Sequence, residues 1–373
     1  MNTVSFLDVK RSVSRDILRG RFRANDKLPS ETVLAEQFGT SRLTMHRALR
    51  ELAEEGLLRR RTSSGTRVAD PAREIVGYVG LLMQDVIWGG RQGEWLFALT
   101  QVLLKSGIAL IPCSYHGDAP RALEIARRFV NQNILGAVAM PCAENFNLVL
   151  DAFTERELPV VIAGKYERPE SPVHYISTNH YGGAALLARH LWEDGHRRFA
   201  ALTASHTQDA CTRMAGFCDT IRELGGTLVA DGQCEVRNLD DIPALARRWR
   251  QQPQAPEAVF CGNDLIAFEL MAALHADGLR IPDDLAVAGM GDDPMGKAAL
   301  SPLTTVHVPL AEEGALIGQT LLKSIRGELT GVFHRELDGT LVVRESCGCG
   351  TLVRPRARKP QTPNQKEACL KRR

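Results

Sequence analysis

Residues 29–68 read PSETVLAEQFGTSRLTMHRALRELAEEGLLRRRTSSGTRV. The order of caps, turns and charges in this stretch decides how the N-terminal part folds. Pro29-Ser30-Glu31 opens a helix: the Ser30 hydroxyl can accept from free backbone N–H groups, and Glu31 suits the positive first turn. Gly39, after Phe38, permits a left-handed turn. Ser41 then caps a second helix. Its Met45, Ala48, Leu49 and Leu52 recur at i, i+3, i+4, i+7, the period of a buried stripe. The opposite face carries Leu43, Arg47 and Arg50, flanked by Thr44 and His46. Leu57 to Val68 reads as a hairpin turning at Ser63-Ser64-Gly65, with Arg59, Arg60 and Arg61 on the way in. A helix with a cationic, hydrogen-bonding outer face after a short glycine turn fits helix-turn-helix geometry. The basic hairpin fits a wing laid along a phosphate backbone or minor groove.

These residues resemble the winged-helix domain of the GntR family. The family's elements stand here as Pro29-Ser30-Glu31, Leu34-Ala35, Phe38-Gly39, Ser41-Arg42-Leu43-Thr44 and Gly65-Thr66-Arg67-Val68. The resemblance implies a DNA-contacting surface made of Ser41, Arg42, Leu43, Thr44, His46, Arg47, Gly65 and Thr66. His46 stands where the family usually has arginine, and Ser63-Ser64 occupies a wing tip that is usually more basic. Leu43 on the outer face suits a thymine methyl group. The rival reading of these charges is a solvated helix face.

Charge is distributed unevenly along the 373 residues. Residues 1–69 carry +6, residues 352–373 carry +7, and residues 70–351 carry −11, for a total of +2. A basic head on an acidic body points to a polyanionic partner for the head alone. The nine cysteines are scattered and odd in number, so no disulfide framework is expected. Cys347-Gly-Cys349 lacks the two-residue gap and the second pair of a metal site, so neither metal nor cofactor is expected. The polar N-terminus and the absence of a long apolar run lead us to expect a cytoplasmic protein without a membrane span.

A chain of this length suggests two or three domains. After the short stretch 70–74 (DPARE), apolar strands alternate with amphipathic helices. Strands are expected at Val76–Met83, Ile108–Cys113, Gly136–Met140, Pro159–Ala163, Tyr175–Ser177, Phe199–Leu202, Ala258–Cys261 and Leu285–Met290. Helices are expected at Glu94–Lys105, Arg121–Asn131, Phe146–Arg156, Gly182–Glu193, Met214–Leu224, Ile242–Gln251, Leu265–Ala276 and Ala311–Arg326. Such alternation marks an α/β fold of parallel sheets covered on both faces, and the length fits two sheets with a cleft between them. Ligands of doubly wound sheets sit beyond the carboxyl ends of the strands. Those loops hold Gln84, Asp85, Trp88, Ser114, Tyr115, His116, Lys165, Tyr166, Thr178, Asn179, Asn263, Asp264, Asp292 and Asp293. Amides and carboxylates beside aromatic faces suit a polyhydroxylated ligand. Trp88 has two readings, ligand platform and hinge packing. The tail 352–373 is Pro- and Lys/Arg-rich with little apolar content and is expected to be a disordered basic tail.

This body resembles the LacI/GalR-type regulatory domain, itself similar to periplasmic sugar-binding proteins. The segments that carry the likeness include Gly80-Leu81-Leu82-Met83-Gln84-Asp85, Arg213-Met214-Ala215-Gly216-Phe217, Val259-Phe260-Cys261-Gly262-Asn263-Asp264, Ile281 to Gly289 and Val342-Val343-Arg344-Glu345-Ser346. The resemblance implies effector contacts at Arg213, Asn263 and Asp292; Trp88 and His116 join them from the loop reading. For Arg213 the structural alternative is a salt bridge at a helix start. Met290-Gly291 stands before the acidic pair, where the family has one aromatic residue.

A GntR-type head on a LacI-type body resembles AraR-like sugar-responsive repressors. The expected architecture is a winged helix-turn-helix at 1–69, a linker at 70–74, and a two-subdomain, doubly wound α/β, periplasmic-binding-protein-like domain at 75–351. The expected function is sequence-specific repression at a palindromic double-stranded operator by a homodimer, controlled by a small effector, a sugar. The rival class is an enzyme on the same scaffold, with His116, His180 or His196 as base. No nucleophile elbow, phosphate-cradling glycine loop or metal-spaced His/Cys set accompanies those histidines.

Overall fold

A computed structural model describes residues 6–61, 65–70, 76–84, 91–132, 134–141, 146–166, 173–203, 208–235 and 239–349. The expectations for Trp88, Asp85, the Ser63-Ser64 turn, most of the 70–74 linker and the 352–373 tail lie outside the described residues.

The head runs α1 (Phe6–Leu18), α2 (Glu31–Gln37), α3 (Arg42–Glu54), β1 (Leu58–Arg61) and β2 (Gly65–Val68). The residues buried on α3 are Met45, Ala48, Leu49 and Leu52, the stripe expected from spacing. They pack with Val9 and Val13 of α1, Leu34 of α2, and Leu57, Leu58 and Val68 of the hairpin. Lys10 is buried in this small core. Its ammonium lies 3.2 Å from Glu51 and also contacts Glu55, so the charge is paired rather than stranded.

The first lobe of the body holds β3 (Gly77–Met83), α4 (Gln92–Leu104), β4 (Ile108–Ser114), α5 (Ala119–Asn131), β5 (Gly136–Ala139), α6 (Phe146–Thr154), β6 (Val160–Ala163) and β7 (His174–Thr178). The second holds α7 (His180–Glu193), β8 (Arg198–Thr203), α8 (Gln208–Glu223), β9 (Thr227–Glu235), α9 (Ile242–Gln251), β10 (Ala258–Cys261), α10 (Asp264–Ala276), β11 (Ala286–Ala288), α11 (Met295–Ala298) and β12 (Thr305–His307). Then come α12 (Leu310–Arg326), β13 (His334–Leu337) and β14 (Thr340–Val342).

Two parallel sheets result, ordered β4-β3-β5-β6-β7-β13 and β9-β8-β10-β11, while β14 returns to pair antiparallel with β12. The chain therefore crosses between lobes three times, after Thr178, after Val308 and after Leu337. Two crossings are tied together. The Asn179 N–H donates to the Leu337 carbonyl at 2.8 Å, and Asn179 Nδ2 donates to Asp338 Oδ1 at 2.9 Å.

After its crossing, α12 buries Ile317, Leu321 and Ile325 against Val79, Leu81, Trp95 and Leu99 of the first lobe. The approach to α4 depends on two glycines one turn apart. A Cβ on Gly314 would stand 2.2 Å from the Trp95 carbonyl oxygen, and one on Gly318 would stand 3.0 Å from Val102. The head rests on the same lobe: Leu18 packs against that core, Arg19 donates to the Arg326 carbonyl, and Arg11 donates to the Arg156 carbonyl.

Every strand and helix expected from the sequence is present, within a few residues at its ends. The structure adds α1, β9, β12, β13, β14 and the short α11. It also starts α8 six residues earlier than the expected Met214, at Gln208. Asp, Cys and Thr in its first turns are weak helix formers and hide the start, yet Asp209 there complements the positive helix end. Arg213 is thus inside α8 and not at its start.

Candidate DNA interface and ligand cleft

At the head, Ser41 Oγ accepts from the Thr44 N–H at 3.0 Å and lies 2.8 Å from Thr44 Oγ1, so the start of α3 is locked. Leu43 is 79% exposed, an unusual position for a leucine beside a well-filled core. Arg42 makes no ion pair or side-chain hydrogen bond among the described residues. Three cations beside it are held by acids: His46 Nδ1 lies 2.9 Å from Glu31, Arg60 also reaches Glu31, and Arg47 lies 3.4 Å from Glu51. Arg47 additionally covers the Phe6 ring at 4.3 Å. In the hairpin Arg59 stands directly opposite Arg67. Arg67 Nη1 donates to the Asn25 carbonyl at 2.8 Å. Gly65, with φ +83°, closes the hairpin over Lys27: a Cβ there would meet Lys27 Cε at 2.9 Å. The sequence singled out this whole set except Phe6, Lys27 and the holding acids.

Between the lobes, Arg213 is the centre of a part-buried network. Its Nε donates to His180 Nδ1 at 3.1 Å, and its Nη1 donates to the Gly262 carbonyl at 2.8 Å. A guanidinium has five donors, so others remain for a ligand. His180 Nε2 lies 3.3 Å from Asp209. Burial, with Arg213 alongside, lowers the His180 pKa, which keeps the ring neutral with its proton on Nε2. Glu313, at the start of α12, accepts from the Thr178 hydroxyl at 2.7 Å. Burial pushes its carboxyl up to about 7. One cluster thus spans the crossings after Thr178 and Val308.

Asn263 caps α10, with Oδ1 accepting from the Ile266 N–H at 2.9 Å. Its NH2 donors are not committed to any described residue. Asp264 beside it is buried, accepts from Thr305 Oγ1 at 2.7 Å and from the Asp293 N–H at 2.7 Å. Burial raises its pKa, and those hydrogen bonds oppose the rise. Asp292 lies 3.0 Å from His307 and pairs with Arg344. Burial would raise the Asp292 pKa, but the Arg344 and His307 hydrogen bonds outweigh it and hold the group below the ordinary carboxylate range. Arg91, from the first lobe, donates to the Gly291 carbonyl at 2.6 Å and lies 3.1 Å from His307 Nδ1. It bridges the lobes.

The structure therefore brings Arg213 of α8 beside the Gly262-Asn263 turn that caps α10, and places Asp292 in an ion-paired corner with His307 and Arg344. His116 stands apart, exposed at the end of edge strand β4, with its backbone N–H on the Gln84 carbonyl at 2.7 Å. A cavity of about 670 Å³ lies along that edge under α5, lined by residues including Cys113, Ser114, Asp118 and Arg121, and not between the lobes. Sequence reasoning passed over Arg91, Asp209, His307 and Glu313. Arg344 lay within a segment of the LacI likeness without a role of its own. His180, offered as an enzymatic base, is spent between Arg213 and Asp209, and His196 Nε2 lies on the Cys347 carbonyl at 3.0 Å.

A winged helix joined to a hinged, two-lobed binding fold defines a DNA-binding transcriptional regulator. Residues 7–68 match the bacterial regulatory proteins of the gntR family, and residues 188–347 match the periplasmic binding protein-like domain. The arabinose metabolism transcriptional repressor of Geobacillus stearothermophilus is 25% identical over 337 residues, covering 86% of this chain and 91% of that protein. The HTH-type transcriptional repressor PurR of Photobacterium profundum is 25% identical over 260 residues, 68% of this chain and 76% of its own length. Among solved structures, a transcriptional regulator CelR-cellobiose complex superposes with a TM-score of 0.65 at 21% identity, covering 86% of this chain and 100% of that one. The chain is a transcriptional regulator, not an enzyme, with a gntR-family head joined to a periplasmic binding protein-like domain. No helix among the described residues is long and apolar enough to cross a membrane.

Proposed function

We propose that the chain is a repressor whose operator binding is switched by a small sugar held between the lobes. The observation that carries this reading is the Arg213–His180–Asp209–Glu313 cluster, set where two of the three chain crossings meet. A ligand that hydrogen-bonds there has differential contact with open and closed lobes, as any switch requires. Arg213 and Asn263 donate to its hydroxyls; Asp292 borders the site, whereas His116, exposed at the end of edge strand β4, is not part of it. Both of the last two hold left-handed backbones, φ 56° and 50°, which non-glycine residues adopt at a cost. Trp88 supplies an apolar face.

Residues 1–69 form the reading head, 70–74 its linker, and 75–351 the effector domain, with 352–373 as a basic tail. Ser41, Arg42, Leu43, Thr44, His46 and Arg47 enter the major groove, while Gly65 and Thr66 bring the wing to the backbone. Phe97 of α4 (66% exposed) and Leu300 after α11 (86%) are apolar groups that pairing of two bodies would cover. The homodimer so formed holds two heads on a palindrome in the cytoplasm. Coupling of about 1–3 kcal/mol changes operator affinity five- to 150-fold, and DNA must weaken sugar binding by the same factor. The test is a calorimetric titration with a panel of pentoses, hexoses and disaccharides, beside selection of bound duplexes from a random pool. Sugar binding without turnover and ligand-dependent operator release are expected. A bound ligand of another chemical class in place of any sugar would replace the effector class.

A further inference from the structure

We propose that His190, Asp194, Cys347 and Cys349 form a zinc site that staples the chain's last described turn to α7. The four ligand atoms all lie within 4.8 Å of one another. His190 Nε2 is 3.3 Å from Cys347 Sγ and 3.4 Å from Asp194 Oδ2, and Cys347 Sγ is 3.0 Å from Cys349 Sγ. In a tetrahedral zinc centre with metal–ligand bonds of about 2.0–2.3 Å, neighbouring ligand atoms stand roughly 3.3–3.8 Å apart. Only small side-chain adjustments separate this cluster from that geometry. Asp194 Oδ2 is buried and accepts no hydrogen bond, an acceptor that a cation would satisfy.

The donor set selects the metal. Two thiolates and an imidazole favour a borderline-soft ion over magnesium or calcium, which take oxygen ligands. Four protein ligands leave no open position, so the site is structural. Binding releases one proton from each thiol to solvent, and no oxidation state changes. The scaffold is fixed on both sides. His190 and Asp194 stand one turn apart at the end of α7. The Cys347 turn is held by Ser346 Oγ, which donates to the Val287 carbonyl at 2.6 Å, and by His196 on the Cys347 carbonyl. The 14 residues of α7 put roughly 20 Å of helix between the site and the crossing at Asn179, so the metal does not touch the effector. Sequence alone showed only the Cys-Gly-Cys pair; folding supplies the second pair.

The full-length protein, reduced, stripped with a chelator, reloaded with zinc chloride and desalted, is assayed for metal by mass spectrometry. Retention of about one zinc per chain is expected, together with a melting temperature that falls on chelation. Cobalt in place of zinc gives thiolate charge-transfer bands and the strong d–d bands of four-coordination. Cys349→Ser and His190→Gln, each shown folded by circular dichroism, drop the metal to background, whereas the exposed Cys211→Ser control retains it. Three results would overturn the site: no metal in the wild type, undiminished metal in both variants, or a Cys347–Cys349 disulfide in the reduced, zinc-treated chain.

Discussion

Replacing Arg47 with alanine separates a reading helix from a merely solvated one. In the free head Arg47 has two intramolecular contacts, Glu51 at 3.4 Å and the Phe6 ring at 4.3 Å. An exposed i,i+4 pair contributes about 0.3–0.5 kcal/mol, and an exposed cation–π contact about 0.5–1 kcal/mol. The variant should therefore lose no more than about 1.5 kcal/mol of head stability. Glu51 is not orphaned, because Lys10 stays 3.2 Å away. On DNA, a bidentate base contact discriminates by about 1–3 kcal/mol, or roughly five- to 150-fold, less what Arg47 gives up by leaving Phe6. Fluorescence anisotropy of a labelled, selected duplex across a salt series measures this. A base-reading Arg47 lowers specific affinity and leaves the salt slope unchanged. A phosphate-contacting one also reduces the slope by about 0.9. Arg42→Ala, which breaks no described ion pair, is the control without a stability cost. Operator affinity and slope both unaltered in a folded Arg47→Ala protein would refute the placement of α3 in the groove.

Three further expectations follow from the geometry. Asn263→Ala should cost about 1 kcal/mol of stability through the lost α10 cap and weaken sugar binding tenfold or more. Asn263→Asp keeps the cap acceptor and should recover the stability alone; calorimetry showing native affinity in both would remove Asn263 from the site. Glu313 has a folded pKa of about 7 against an ordinary 4.5, so the stability tied to its proton is complete below about pH 4.5 and is lost as pH rises through about 7, by roughly 3 kcal/mol in all. Glu313→Gln should flatten the urea-midpoint profile across that window, and an unchanged slope would show that Glu313 does not titrate there. Lys10→Met should lower head stability by about 1–3 kcal/mol, below the full cost of breaking a buried pair because Glu51 and Glu55 keep some water; thermal unfolding of the head at native values would count against it.

The head was readable almost residue by residue because its signals are local. A cap, a glycine turn and a four-residue apolar stripe lie within one stretch, and α3 buries the residues that its period selects. The strands of both sheets were readable for a similar reason, since parallel strands covered on both faces are continuous apolar runs, as in Ala258–Cys261. The strands β12, β13 and β14 were not, because at three or four residues their pairing comes from distant partners rather than from pattern. The cleft was half legible. Arg213 and Asn263 sit in motifs, but Glu313, Asp209 and Arg91 gain meaning only when the crossings bring separate segments together. Asn263 also shows how one side chain serves two ends, with its oxygen holding a helix and its nitrogen left for a ligand.

The sixth strand of the first sheet, β13, is the last of that sheet to be synthesised and is added beside β7 only after α7 to β12 of the second lobe have left the ribosome. The helix that seals that sheet, α12, emerges just before it. Translation therefore completes the head early, while the first lobe waits with an open sheet edge at β7 and an uncovered apolar face where Ile317 and Leu321 will dock. A nascent chain halted before about residue 310 would hold a finished DNA-binding head on an unfinished body. Early termination would then release a species with a folded DNA-binding head and no completed binding domain, a failure built into the threading of the fold.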